Sequence, residues 1–236
     1  MIISVLLAAS ILTFSYGVLV GRYQWPPYHQ LASVKQFIFP KEEALYDARY
    51  LDKKSFFEIH GKDHYDLVFV GDSITQGGDW YELFPHQRVA NRGIPGDTAF
   101  GIAHRIDSIL STNASKAFVM LGINDLLRSS SVDEILDHYF EIVAALVDGG
   151  MDVFIQSTLY VRDAGGGYLA LADQITTLNE RLEAFSVAQE NVTYIDLNAG
   201  LATGTRLASR FTNDGLHLNG QAYAIWREAI IPYMDR

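Results

Sequence analysis

DLVFVGDSITQ, residues 66–76, decides the fold. Leu67–Val70 is apolar at every position, as a strand buried on both faces must be. Gly71 then permits a tight bend, and Asp72 and Ser73 are residue types that open a helix. A buried strand running straight into a helix is the first half of a βαβ unit, and such units build parallel sheets.

The rest of the chain keeps the alternation. Further β-rich runs occur at Arg88–Asn91, Ala117–Leu121, Asp152–Gln156 and Val192–Asp196. Helical patterns lie between and after them, at Thr98–Leu110, Val132–Val147, Leu169–Ala188 and Gly220–Met234. This order predicts a three-layer α/β/α domain with a mostly parallel, flavodoxin-like sheet of about five strands. The expected division is 1–21 as a membrane helix, 22–62 as a connector with a helix of its own, and 63–236 as the α/β domain.

Composition narrows the function. The chain has 236 residues, 49% hydrophobic and 19% charged, enough to build a substantial core and incompatible with disorder throughout. Lys and Arg number 18 against 28 Asp and Glu, a net charge of −10 that argues against nucleic acid as a partner. With no cysteine there is no disulfide, thiolate metal site or cysteine nucleophile. Mean hydropathy is +0.06, slightly greasy for so acidic a chain.

The excess sits at the front. No charged side chain occurs between Met1 and Gly21, and Tyr23, Trp25, Pro26, Pro27 and Tyr28 follow Arg22. An apolar run of about 20 residues with aromatics at its edge predicts a single-pass anchor, so the membrane is an expected partner. A cleaved signal peptide is the competing reading. Arg22, Lys35 and Lys41 would hold the following chain in the cytoplasm, whereas a short N-terminal anchor is more like an export signal. The expectation adopted is a membrane location with the α/β domain outside the cytoplasm.

In open α/β sheets, function collects beyond the carboxyl ends of the strands. Gly71-Asp72-Ser73, Arg92-Gly93, Gly122-x-Asn124-Asp125 and Asp214-x-x-His217 all fall at such places or in the loop before the last helix. A serine hydroxyl becomes a useful nucleophile when an imidazole takes its proton and a carboxylate orients that imidazole. Ser73, His217 and Asp214 supply these three groups. Acyl transfer also needs donors for an oxyanion, and the N–H groups of Ser73 and Gly93 with the Asn124 amide are candidates. Each feature alone reads as a cap or turn residue; their shared edge of the sheet is what carries weight.

These four blocks resemble those of the SGNH, or GDSL, hydrolases, over residues 66–230. Ile74 stands where the family name has leucine. NRGIPGDT, residues 91–98, is most similar to the platelet-activating-factor acetylhydrolase branch. The resemblance implies Ser73 as nucleophile, His217 as general base, Asp214 as its orienting partner, and Ser73, Gly93 and Asn124 as the oxyanion hole, with Asp72 and Asp125 in support. It implies a serine esterase acting without metal or organic cofactor on a small-molecule ester, of a lipid or an acylated sugar, with short-chain or acetyl groups favoured. An acyltransferase with the same residues, or a non-catalytic glycan- or lipid-binding domain, are the alternatives.

Other features weigh less. His60 and His64 have helical metal-ligand spacing, but Gly61 between them and the lack of a third ligand argue against a metal site. Gly165-Gly166-Gly167 lacks phosphate-loop spacing and suits a loop at the rim of the site. Trp80 and Tyr81 read equally as pocket lining or as ordinary packing.

Overall fold

Five parallel strands form the centre of the computed structural model, which describes Tyr16 and residues 48–61, 64–162 and 171–234. The strands are β1 (Leu67–Gly71), β2 (Val89–Gly93), β3 (Lys116–Met120), β4 (Asp152–Gln156) and β5 (Val192–Ile195). Their order is β2-β1-β3-β4-β5, and all four pairings are parallel. The chain therefore moves one way from β1 to β2 and the other way from β3 onward. That reversal places the switch point between β1 and β3, where doubly wound sheets open a crevice.

Eight helices matter to the argument: α1 (Ala48–His60), α2 (Ser73–Gln76), α3 (Ala99–Ala103), α4 (Ile106–Leu110), α5 (Ile123–Leu127), α6 (Val132–Asp148), α7 (Ala172–Val187) and α8 (Gly220–Ile230). Strand side chains alternate between faces. On one face Phe69, Phe118 and Phe154 stack in a row, with ring centroids 5.2 and 4.8 Å apart. Trp80 stacks on Phe69 at 3.9 Å and meets Trp226 of α8 edge-on at 5.0 Å, which closes that layer. Helix α6 helps cover the other face, burying Ile135, Leu136, Tyr139, Ile142, Val143 and Leu146 at helical spacing. Its start is fixed by a capping box, in which the Ser131 hydroxyl accepts from Glu134 N–H and the Glu134 carboxylate accepts from Ser131 N–H.

Three expectations change in detail. The helix expected over Thr98–Leu110 is broken in two at Arg105 (φ −124°, ψ 20°), whose side chain is drawn into the interior. The last helix stops at Ile230, and Pro232 leaves only a 3₁₀ turn over Ile231–Tyr233. Trp80 is packing, 2% exposed with its indole N–H on Thr75 O, while Tyr81 points outward at 74% exposure.

Ala48–Arg236 forms one compact unit, so α1, expected in the connector, belongs with the α/β domain. Tyr50 donates to Gly101 O, and Phe57 lies under the Arg92 guanidinium at 4.7 Å. Among the described residues no helix is long and apolar enough to cross a membrane. The anchor expected at 1–21, apart from Tyr16, and the loop holding Gly165–Gly167 lie outside the described residues.

Candidate active site

Helix α2 begins one residue after β1 ends, and Asp72 makes the corner. One of its carboxylate oxygens accepts from Ile74 N–H at 2.9 Å, capping α2. Ser73 is thereby the first helical residue, at the mouth of the crevice, and its N–H has no intrahelical acceptor. Helix α2 is held from two further sides. Tyr223 of α8 donates to Ile74 O at 2.7 Å, and the Asn91 amide reaches Gln76 O at 3.1 Å and Thr75 O and Gly78 O at 3.3 Å.

The loop before α8 brings the other expected residues to Ser73. Ser73 Oγ lies 3.0 Å from His217 Nε2, and His217 Nδ1 lies 2.6 Å from Asp214 Oδ2. Asp214 Oδ1 accepts from the N–H groups of Leu216 and His217 at 2.9 and 2.8 Å, so both carboxylate oxygens are engaged. What burial there is pushes the Asp214 carboxyl up. Its hydrogen bonds from the His217 ring and the two amides outweigh that and hold it well below the usual carboxylate range. With Nδ1 donating to this carboxylate, Nε2 is left as the acceptor facing the serine hydroxyl.

Asn124, on α5 just after β3, also reaches the crevice. Its Nδ2 donates to Asp72 Oδ2 at 3.1 Å and to Asp97 O at 3.0 Å, so the amide bridges the corners after β1 and β2. Asp125 accepts from Ala99 N–H at 3.1 and 3.2 Å, fixing the start of α3. Desolvation lifts the buried Asp72 and Asp125 carboxyls to about 7 each, against the backbone hydrogen bonds that favour their charged forms.

Gly93 departs from the expectation of an oxyanion donor. Its N–H donates to Asn91 Oδ1 at 2.9 Å. A Cβ at this position would come within 2.6 Å of Gln76 Cα and 2.8 Å of Asp72 O, so the glycine serves the close approach of β2 to α2. Three residues on, the Ile94–Asp97 turn carries Gly96 at φ +76°. No described residue accepts from the Gly96 N–H, and its neighbour Asp97 is the residue whose carbonyl holds Asn124. Gly96 is thus a glycine set by backbone conformation, one strand-end away from Asn124, with its N–H unengaged among the described residues.

Beneath these groups lies a charged layer the sequence did not announce. Arg105 Nε donates to Asp97 Oδ2 at 2.8 Å, and its Nη2 donates to Arg92 O at 2.7 Å and Gly71 O at 3.4 Å. Burial pushes the Asp97 carboxyl up, partly opposed by the adjacent Arg105 guanidinium. In sequence Arg105 has the spacing of a solvated helix charge; only the nearby Asp97 hints at a partner. Among the described residues no group of three His, Asp or Glu side chains is placed to hold a metal ion.

A family model described as the GDSL-like Lipase/Acylhydrolase family matches residues 69–225. N-acylneuraminate cytidylyltransferase of Streptococcus agalactiae is 27% identical over 157 residues, 66% of this chain and 35% of that protein. The chain thus spans about a third of the length of the curated relatives it matches first. Platelet-activating factor acetylhydrolase IB subunit alpha2 of Rattus norvegicus is 23% identical over 189 residues, 78% of this chain and 82% of that one. Among solved structures, a GDSL-like lipase from Bacteroides thetaiotaomicron superimposes with a TM-score of 0.68 at 19% identity, covering 79% of this chain and 98% of that chain.

Proposed function

The chain belongs to the GDSL-like lipase/acylhydrolase family, and from that membership we propose that it is a serine esterase acting through an acyl-enzyme on Ser73. The observation that carries this reading is the unbroken hydrogen-bonded chain from Asp214 through His217 to Ser73, at 2.6 and 3.0 Å.

Ser73 Oγ attacks the ester carbonyl carbon while His217 Nε2 takes the hydroxyl proton. Asp214 keeps Nδ1 protonated and stabilises the imidazolium. The carbonyl oxygen, now negative, is met by the Ser73 N–H at the start of α2 and by the Asn124 amide, which would share one of its present bonds with it. The Gly96 N–H suits the third position better than the Gly93 N–H, which already donates to Asn91. The alcohol departs with the proton held on His217. Water then attacks the acyl-serine with His217 again as base, releasing the acid and restoring Ser73. A short acyl group on a lipid or sugar alcohol is the favoured substrate class, in keeping with the acetylhydrolase relative.

Hydrolysis of p-nitrophenyl acetate by the purified protein tests the reading. Ser73→Ala should lower kcat by about 10³-fold or more, with the melting temperature little changed. A Ser73→Ala variant with the wild-type rate would overturn it.

A further inference from the structure

Arg162 is a cation whose backbone is tied to the loop carrying Asp214 and His217, and the proposed chemistry leaves it unused. It lies six residues beyond the end of β4, and its backbone N–H donates to Gly215 O at 2.7 Å, within the loop from Asp214 to His217. The side chain is half-buried. Its Nε is closed off from solvent and has no acceptor among the described residues, whereas its two Nη groups are not among the closed-off atoms. The guanidinium is therefore buried at Nε and leaves its Nη donors available.

Among the described residues, no ion pair includes Arg162, although Arg105, Arg181 and Arg227 each have a carboxylate within 2.8 Å. Scarcity of partners is not the reason, since the chain has 28 acidic residues to 18 basic. A buried guanidinium N–H without an acceptor is unfavourable, and native structures rarely keep one that has no role.

We propose that Arg162 is an anion subsite for the ester substrate, taking a carboxylate or phosphate carried by the molecule whose acyl group Ser73 removes. This rests on the esterase reading above. A planar guanidinium matches both anions with paired N–H donors, and partial burial strengthens the attraction by excluding water from one side. The bond to Gly215 ties the subsite to the loop that carries His217, so an anion held there would also orient the ester toward Ser73. The substrate class is then an acyl ester with a negative charge close to the scissile bond.

Three acetyl esters separate the outcomes: acetoxyacetate, its neutral methyl ester, and 2-acetoxyethyl phosphate. The wild-type protein should favour one or both anions over the neutral ester. Arg162→Gln should lower kcat/KM for the favoured anion by about tenfold or more, mainly through KM, and leave the neutral ester within about twofold. Arg162→Lys should fall between, because it keeps the charge and loses the paired donors. The backbone bond to Gly215 survives both substitutions, and rates on the neutral ester report whether the site is intact. Equal losses on charged and neutral esters, or an unchanged preference, would overturn the subsite while leaving the esterase in place. Absence of Ser73-dependent hydrolysis of any of the three esters would overturn both.

Discussion

His217 and Asp214 leave about half of their side chains open to solvent, 49% and 55%. One layer below, Asp72, Arg105, Asp97 and Asp125 are 0%, 2%, 3% and 4% exposed. The two regions carry similar polar groups and use them differently. The open region holds a single hydrogen-bonded line that can pass a proton, with one end facing the crevice. The closed region holds a web, in which Arg105 joins the corners after β1 and β2, Asp72 caps α2 and receives Asn124, and Asp125 starts α3. In the open region a lost partner is replaced by water. In the closed one nothing replaces it, so the same change costs more and is felt as stability.

Arg105→Met should show the difference most sharply. It leaves Asp97 buried without its cation, for an expected loss of about 3–5 kcal/mol of unfolding free energy, read by urea denaturation. A loss below about 1 kcal/mol would mean that the two layers differ less than their burial implies. Asn124→Ala sits at the boundary. It should lower kcat for p-nitrophenyl acetate by about 10²–10³-fold, roughly 2.7–4 kcal/mol in the barrier. If instead KM alone rises, Asn124 belongs to the supporting layer and does not touch the oxyanion.

The smallest effect is one of pH. The Asp125 carboxyl titrates near 7 in the folded protein, above its ordinary value near 4 when unfolded. Between those values the folded state binds more protons than the unfolded one, so this group lowers stability as pH rises from about 4 to 7. Asp125→Asn should flatten that part of the curve of melting temperature against pH. A curve of unchanged slope would place the titration elsewhere.

The architecture was legible because doubly buried strands such as Leu67–Val70 leave no room for polar side chains, and the sequence records that constraint directly. Ser73, His217, Asp214 and Asn124 were legible for a related reason: each follows a strand or precedes a helix at the one edge where a parallel sheet gathers its loops. Gly93 was expected as a donor, and its N–H is engaged by Asn91; a glycine demanded by packing and a glycine demanded by an exposed amide look alike in one dimension. Gly96, the donor proposed in its place, stands out only by its positive φ. Arg105 was hidden more deeply, since a helical pattern assigns a charge to solvent by default, and only the break between α3 and α4 shows that it turned inward.

Ser73 and His217 meet across 144 positions of sequence. Strand β1 and helix α2 can be in place early, yet in the proposed mechanism the hydroxyl stays inert until the imidazole arrives from the far end of the chain. During synthesis on the ribosome, every intermediate length up to that point is a scaffold without chemistry. In this order of assembly, reactivity is the last property the molecule acquires. It would also be the first forfeited when the segment carrying His217 and α8 comes loose.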